Sequence, residues 1–418
     1  MTARRRLAAA LAARLPFHYG WVILACVCLA GFSRQGSAVA TLSIFVEPMI
    51  REFGWSRTSI SAAVSVGGIL GALIAPALGA FLDRNGARAV LLLAVLLTSA
   101  STLLLSFSQS LAWFFVFYCV ARMSFAGPYD LGIYGSVVNW FFRRRAFATS
   151  VVTLAQMVGL ICMPLVAYFV MQASGWRSAW AAVAATVLVV GFLPVWLLHV
   201  RRPEDLGQRL DGDAGSPAAS SAASALEPAY TRAQALATPA FWLLGLFTLL
   251  AFPVQAGISL HQAPLLIERG LAPGVAAAAV SLFALFSAIA GFAYGFWPRR
   301  VPLRFALLLT GAVLCAACFL MARVASPVQA YFAASLFGAG VGGLLTMLPI
   351  AWADYFGRSS YGAIRGVALG FQIAGQAAGP VASGMLRDWT GNYGAALAAF
   401  AALAAAAGVS AAAAAISR

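Results

Sequence analysis

The sequence predicts an all-α membrane protein in which twelve transmembrane helices form two six-helix pseudo-repeats. Of its 418 residues, 62% are hydrophobic and only 9% are charged, whereas about a quarter of a soluble domain is charged. Twelve apolar runs are each long enough to cross a bilayer as a helix. A single shift of 216 residues brings motifs of the second half onto the first. This composition excludes a soluble enzyme and a second soluble domain.

The apolar runs form two sets of six. A basic, amphipathic segment at residues 1–18 precedes them and is expected on the cytoplasmic membrane surface. The first bundle covers residues 19–199, a cytoplasmic linker covers 200–237, and the second bundle covers 238–418. The linker is polar and low in complexity, with too little apolar surface to fold. Numbered as spans 1 to 12, the runs are residues 19–48, 58–82, 88–108, 111–140, 146–172, 176–199, 239–266, 273–297, 303–323, 327–354, 361–386 and 393–416.

The internal repeat predicts a class of function. Duplicated halves that rock about a shared cavity at the membrane midplane are typical of secondary transporters, not of fixed pores or membrane enzymes. The 216-residue shift places EPMIREFG from Glu47 on APLLIERG from Ala263, Gly79–Arg88 on Gly295–Arg304, and Gln156–Pro164 on Gln372–Pro380.

The charge distribution predicts the orientation in the membrane. All 27 basic residues are arginines, and 12 acidic residues leave a formal net charge of +15. With a cytoplasmic N-terminus, the connections on that side hold 19 arginines, Arg365 among them, and the opposite side holds six. By the positive-inside rule, both termini are therefore expected in the cytoplasm. The arginine clusters lie between spans, which favours the anionic membrane surface as their partner and excludes nucleic acid.

The loop GAFLDRNGAR, from Gly79 to Arg88, resembles the signature GxxxDRxGxR of the major facilitator superfamily. A glycine at its start allows close helix packing, a second glycine allows a tight turn, and the acid can pair with a neighbouring arginine at the cytoplasmic gate. The alternative is a basic loop that only fixes topology. The copy in the second half carries Arg299 and Pro302 where the first has its acid and its second glycine. The matching residues are Gly79, Asp83, Arg84, Gly86 and Arg88.

Three further stretches, HYGWVILA, NWFFRRRAFATS and RRPEDLGQRLDG, resemble the bacterial monocarboxylate porter and oxalate/formate antiporter branch of that superfamily. The resemblance implies the major facilitator fold, a small organic anion as substrate, and residence in a bacterial cytoplasmic (inner) membrane. One departure concerns the carboxylate-binding arginine that this branch commonly has in span 8, because Phe292 stands there. In span 11, where the oxalate carriers supply a basic residue, this chain has Gln372 and Gln376.

Three ionisable residues lie deep in the predicted spans, where each costs several kcal/mol. They are Arg34 in span 1 and Arg122 and Asp130 in span 4. The resemblance implies that spans 1, 4, 7 and 10 line the central cavity. The arginines are candidates for an anion-binding pair, and Asp130 could take up a proton as the site changes access. The alternative is a structural ion pair, in which Asp130 only neutralises Arg122 or Arg34.

Two tyrosines of span 4 are weaker candidates for substrate contact. In a continuous helix Tyr129 shares a face with Arg122, and Tyr134 follows Asp130 by one turn, so both tyrosines could contact substrate. A bend is expected at Gly127 and Pro128.

Span 11 and span 7 supply three more candidates. Gln372 and Gln376 either bind substrate or join helices, and His261 either carries a proton or is structural.

The sequence therefore predicts a carrier that moves a monocarboxylate-like anion by alternating access, with proton symport. Organic anion exchange of the oxalate/formate type is the nearest alternative, followed by efflux of drugs or other small molecules, and then by a membrane sensor built on a carrier scaffold. No enzymatic activity, no metal and no cofactor are expected. The expected partners are the anion, a proton and the lipid bilayer, and the chain is expected to be a monomer.

Overall fold

The computed structural model describes residues 3–212, 228–298 and 300–414, with the backbone alone at residues 3–5, 57 and 58. Arg299 and most of the low-complexity part of the linker lie outside the described residues. Throughout the described ranges the regular structure is helical, without a strand. The all-α prediction is confirmed.

The described helices make up the twelve predicted spans. Ten helical segments are long and apolar enough to cross a membrane. One of them, Arg145–Leu198, contains two spans, because Gly175 has a φ of 82° and breaks the helix there. A further helix, Tyr361–Thr390, is less apolar and completes the set.

The helices follow the predicted runs closely. Spans 1 to 4 are Gly20–Arg34 with Val39–Phe53, Arg57–Asn85, Ala87–Leu105, and Leu111–Ala126 with Pro128–Trp140. Spans 5 and 6 run through Arg145–Val187, a π-helical turn at Leu188–Phe192, and Leu193–Leu198. Spans 7 to 12 are Pro239–Glu268, Pro273–Tyr294, Leu303–Met321, Pro327–Phe356, Tyr361–Thr390 and Gly394–Ala413.

Two spans are interrupted near their middle. Span 4 breaks at Gly127, where the sequence predicts a bend. Span 1 also breaks, through a short 3-10 turn at Gln35–Ser37, which the sequence does not predict. Backbone groups freed inside a membrane need partners. Here the Thr41 hydroxyl donates to the Gln35 carbonyl (2.7 Å), and the Tyr118 hydroxyl donates to the Ser37 carbonyl (3.4 Å).

The segments outside the spans also contain structure. A helix at Ala3–Arg14 precedes span 1. The linker was predicted not to fold, but residues 200–212 contain two 3-10 turns and bind the preceding helices through polar contacts. The Asp211 carboxylate accepts three backbone N–H groups ahead of span 5, at distances of 2.6 to 3.1 Å. The hydropathy of the sequence does not predict this ordered segment, because hydrogen bonds and not apolar burial hold it in place.

Contacts divide the described chain into two compact units. The first unit combines Met1–Ala229 with Gly357–Leu369, the latter being the loop before span 11 and its first turns. The second unit combines Tyr230–Phe356 with Gly370–Arg418. We refer to Gly357–Leu369 as the span 11 start.

Each unit carries an ion pair at an equivalent place. In the first, Arg177 just after Gly175 contacts Glu52 at 2.6 Å. In the second, Arg387 near the end of span 11 contacts Glu268 at 3.3 Å. These two glutamates are the ones that the 216-residue shift matches. Each pair joins the end of the first span of its repeat to the region between the last two spans, and because both pairs are exposed they add little stability.

Small residues let the helices of the second unit approach closely. Spans 9 and 12 meet at Gly311 and Gly408, where a Cβ atom added to Gly311 would lie 2.7 Å from the Gly408 Cα. At Gly384 in span 11, an added Cβ would meet nothing within 4 Å. Because lipid is as apolar as the helix surfaces, close packing of this kind contributes much of the cohesion between membrane helices.

We expect Gly311→Ala and Gly384→Ala to change stability in opposite directions. The first forces spans 9 and 12 apart and should cost about 1–3 kcal/mol. The second replaces an unhindered helical glycine and should stabilise by up to about 1 kcal/mol. The measurement is the apparent melting temperature of each purified variant in detergent. Equal melting temperatures for the two variants would contradict the described packing.

Candidate functional site

Arg34 ends the first helix of span 1, and its side chain is buried in the first unit. Its Nε donates to the Phe125 carbonyl at 3.0 Å, and its Nη1 donates to Gln156 Oε1 at 3.0 Å. Its Nη2 lies 3.9 Å from Asp130 Oδ2. Three elements, the two halves of span 4 and span 5, therefore hold this guanidinium. The break after Arg34 leaves the side chain at a helix end.

Arg122 lies one turn before the break in span 4 and shares an aromatic ring with Arg34. The two guanidinium carbons lie 4.4 Å and 4.2 Å from the centroid of the Phe125 ring. The Arg122 side chain is half-buried and its Nε is buried without a hydrogen-bond partner. In the part of the chain that the structure describes, no carboxylate forms an ion pair with Arg122. Arg122 is thus held by a cation–π contact, which is weaker than a buried ion pair.

Asp130 is buried and lies between two arginines of the first unit. Its Oδ2 faces Arg34 at 3.9 Å, and its Oδ1 lies 3.2 Å from Arg365 Nη2 in the span 11 start. Arg365 is only 1% exposed. The sequence placed Arg365 among the arginines of the cytoplasmic connections, and this is corrected here: its side chain turns inward and reaches span 4. A buried carboxylate with two cationic neighbours is strongly held.

The tyrosine candidates of span 4 are both buried. The break at Gly127 removes the common face that a continuous helix would give Arg122 and Tyr129. Tyr129 instead hydrogen-bonds the hydroxyl of Ser33 at 3.3 Å. Tyr134 accepts a weak hydrogen bond from Gln156 Nε2 at 3.4 Å. Gln156 therefore connects Tyr134 to Arg34.

The signature loop contacts the span 11 start. The Asp83 carboxylate accepts the backbone N–H groups of Gly362 (2.9 Å) and Ala363 (2.8 Å). The sequence predicts that this acid pairs with a neighbouring arginine, but Arg201 donates from Nη2 to the Asp83 backbone carbonyl oxygen instead, at 2.6 Å. A carboxylate at the first turn of a helix satisfies free N–H groups and complements the helix dipole. A Cβ on Gly79 would collide with the Gly362 carbonyl, so this glycine is needed for the close approach.

The other signature residues occupy the turn between spans 2 and 3. Gly86 has a φ of 86° and packs against the Arg201 side chain. Arg88 donates from Nη2 to the Trp196 carbonyl at 3.1 Å, and Arg84 is exposed.

The remaining candidates lie in the second unit. His261 contacts the Tyr393 hydroxyl through Nδ1 (3.1 Å) and the Pro380 carbonyl through Nε2 (3.2 Å). A carbonyl only accepts, so Nε2 carries a proton. Gln372 and Gln376 are half-buried one turn apart in span 11. Phe292, where the related branch commonly has an arginine, packs against Phe296.

The structure thus brings together the deep charges of spans 1 and 4 and adds three residues that the sequence did not select as site residues. Arg365 contacts Asp130, and the Phe125 ring lies against both Arg34 and Arg122. Gln156, which the sequence identifies only as a repeat match, accepts a hydrogen bond from Arg34. Gln156 could have been found as a polar residue in an apolar run. Arg365 could not, because its sequence position one turn into a helix resembles that of an interfacial arginine.

Comparison with known proteins identifies the family. The profile described as Major Facilitator Superfamily matches residues 23–269. Monocarboxylate transporter 12 of Rattus norvegicus is 24% identical over 402 residues, which cover 90% of this chain and 82% of the rat protein. An uncharacterized MFS-type transporter of Bacillus subtilis, YcxA, and a putative metabolite transport protein of Haemophilus influenzae are each 24% identical. The matches cover only 40% and 46% of these two bacterial relatives.

Solved structures share the fold. The transporter FucP in its outward conformation superposes with a TM-score of 0.74 and 14% identity, covering 96% of this chain and all of FucP. The human organic anion transporter MFSD10 also gives a TM-score of 0.74, with 15% identity and coverage of 95% and 100%. At these identities the likeness shows the fold alone. The matched profile shows that this chain belongs to the major facilitator superfamily, a family of membrane transporters and not of enzymes, and its relatives show that it resembles the monocarboxylate branch.

Proposed function

We propose that this chain transports a small organic anion of the monocarboxylate class together with a proton, by alternating access. The observation that carries the proposal is the excess of positive charge in the first unit. Arg34 and Arg365 contact the carboxylate of Asp130, and Arg122 shares the Phe125 ring with Arg34. Ionised throughout, the four side chains sum to +2, and buried positive charge of this kind favours an anionic ligand.

Arg122 is the proposed first contact of the anion. Its guanidinium is held by the Phe125 ring, and among the described residues no carboxylate pairs with it that it must release before it binds another. A guanidinium offers two parallel N–H donors that match a carboxylate. Arg34, which is tied to Phe125 and Gln156, is proposed as the second cation of the site. Tyr129, Tyr134, Gln372 and Gln376 remain proposed substrate contacts.

Asp130 is the proposed proton carrier, and His261 is a second candidate. Asp130 is the acidic member of the cluster, so it can change charge while the arginines stay protonated. The names of two similar proteins, a monocarboxylate transporter and an organic anion transporter, support an anionic substrate. A third, XylE, is described as a proton:xylose symporter, which supports proton coupling on this fold.

Organic anion exchange is the second candidate. It is favoured by Asp130 already lying between two arginines, because a carboxylate that stays ionised there leaves Arg122 to alternate between two anions. Efflux of drugs or other small molecules is the third.

The arginine distribution further supports cytoplasmic termini. We also propose that the chain is a monomer in a bacterial cytoplasmic membrane, with six-helix bundles at residues 19–199 and 238–418.

The deciding experiment uses purified protein in liposomes and labelled lactate, pyruvate, formate and oxalate. Uptake is measured with and without an imposed pH gradient, and with and without unlabelled anion inside. Symport predicts accumulation driven by the gradient. Exchange predicts uptake that ignores the gradient and requires internal anion.

We expect Arg122→Gln to lower carboxylate uptake about 100-fold, which corresponds to about 2.7 kcal/mol, because the anion loses a desolvated charge-assisted contact. Arg34→Gln should also abolish uptake, since it removes the second cation. Arg51→Gln is the matched control, because the Arg51 side chain is 78% exposed and its ion pair within the described residues is with Glu47 of the same helix. Initial uptake rates at equal amounts of inserted protein are the measurement. Normal uptake by both site variants would refute the assignment.

We expect Asp130→Asn to uncouple transport from protons. The amide cannot ionise, so accumulation driven by a pH gradient should be lost while exchange of labelled for unlabelled anion continues. Both modes are measured in the same liposome preparation. Gradient-driven accumulation that persists in this variant would move the proton-carrying role away from Asp130.

A further inference from the structure

We propose that the second unit contains a buried water-binding site between spans 7, 11 and 12, where a water molecule hydrogen-bonds the side-chain amide of Gln262. No residue of this site belongs to the charge cluster of the first unit, so the inference does not depend on the proposed anion site.

Gln262 is a buried polar residue in the apolar run of span 7. It is 1% exposed, and among the described residues neither Oε1 nor Nε2 of its side chain has a hydrogen-bond partner. The amide offers two N–H donors and an acceptor oxygen. Leaving such groups unpaired inside a protein carries the full cost of removing them from water. An amide buried in this way therefore requires a small polar partner.

A small cavity lies against Gln262. The space open to the centre of a water-sized sphere is about 10 Å³, which is close to the room that one water molecule needs and too little for a larger ligand. Four polar side chains line the cavity, namely His261, Gln262, Ser383 and Tyr393, and the other lining residues are apolar. All of the lining residues except His261 are buried. The cavity therefore has the size of a single water molecule and a partly polar wall.

The polar wall can supply the hydrogen bonds that a buried water needs, which number about three. The Gln262 amide both donates and accepts, and the Ser383 hydroxyl, in a residue that is 2% exposed, can do the same. The Tyr393 hydroxyl contacts His261 Nδ1 at 3.1 Å. Because His261 Nε2 donates to the Pro380 carbonyl, Nδ1 of the neutral ring accepts from Tyr393, whose oxygen keeps a lone pair for the water.

The water site connects three helices. Gln262 belongs to span 7 and Ser383 to span 11, and Tyr393 directly precedes the helix of span 12. Polar groups that are shared between membrane helices add to their cohesion, because lipid offers these groups no partner. A water held by all three side chains would therefore join spans 7, 11 and 12 at one point.

The internal repeat explains how the cavity arises in the second unit. Under the 216-residue shift, His261 and Ala396 correspond to Phe45 and Trp180. In the first unit these two rings are fully buried and stack with their centroids 3.8 Å apart. The second unit has the methyl group of Ala396 in place of the indole ring, and Ala396 lines the cavity. The cavity therefore lies where the first unit has a large side chain.

The same comparison explains why the cavity wall is polar. Gln262 and Ser383 correspond to Val46 and Ala167 in the first unit. Side-chain volume is thus lost and hydrogen-bonding groups are gained at the same place. An apolar cavity stays dry, whereas a cavity with several polar groups binds water. The combination of the two changes therefore favours a hydrated site.

The first test is X-ray footprinting of the full-length purified protein. Brief irradiation converts water to hydroxyl radicals, which oxidise the side chains next to that water, and mass spectrometry identifies the oxidised residues. Phe400 lines the cavity, whereas Phe337 is equally buried in the same apolar core without lining it. We expect oxidation of Phe400 to be much faster than that of Phe337. Equal rates would overturn the proposal.

Gln262→Leu tests whether the amide holds the water. Leucine has a similar volume but offers no hydrogen bond, so the rate of Phe400 oxidation should fall to that of Phe337. Arg51→Gln, the exposed control, should leave both rates as in the wild type. An unchanged rate at Phe400 in the Gln262→Leu protein would overturn the assignment of Gln262.

Ala396→Val distinguishes a hydrated cavity from a dry one, through the apparent melting temperature in detergent. If the added methyl groups displace a water, the Gln262 amide loses its partner and the melting temperature should fall by about 2–4 °C. In the Gln262→Leu background the same substitution fills an apolar space and should raise the melting temperature. A rise in both backgrounds, or an equal fall in both, would contradict a water bound to Gln262.

Discussion

The structure depends on one constraint: a charge removed from water must be compensated by the protein around it. In the first unit this compensation is incomplete. Asp130 faces both Arg34 and Arg365, whereas Arg122 contacts the aromatic ring of Phe125. Such an arrangement costs folding energy. It persists in a chain of which only 9% is charged, and for this reason the proposed anion site rests on the cluster and not on the far larger apolar surface.

The internal repeat shows that scaffold and charge are distributed differently. Under the 216-residue shift, Arg34, Arg122 and Asp130 correspond to Leu250, Gly338 and Thr346. The Thr346 hydroxyl donates to the Gly291 carbonyl and joins spans 10 and 8, and Gly338 allows close packing against Phe283. The same positions therefore bind neighbouring helices in the second unit and carry charge in the first. Duplication accounts for the fold, whereas the buried charges at these three positions occur in one copy.

Hydropathy and glycine positions predict the fold well, because each span must bury its own backbone hydrogen bonds and so leaves a long apolar run. They predict the site only in part. Arg34, Arg122 and Asp130 stand out as charges within apolar runs, and the break at Gly127 follows from Gly-Pro. The break at Gln35–Ser37 and the inward turn of Arg365 do not, because both depend on hydrogen bonds and carboxylates from distant helices. The ordered turn of the linker at Asp211 is not predicted from the sequence for the same reason.

Charge balance connects the anion site to the proton. An inside-negative membrane opposes entry of a lone anion by about 2.3 kcal/mol per 100 mV. Three arginines cannot relieve that opposition, because they do not travel and do not titrate. If one proton joins Asp130 for each carboxylate that joins Arg122, the cluster keeps its net charge of +2 through the cycle and the membrane potential does no work on it. Proton uptake at Asp130 and anion binding at Arg122 then balance each other in charge, and this is the physical reason to join the two in the proposed symport.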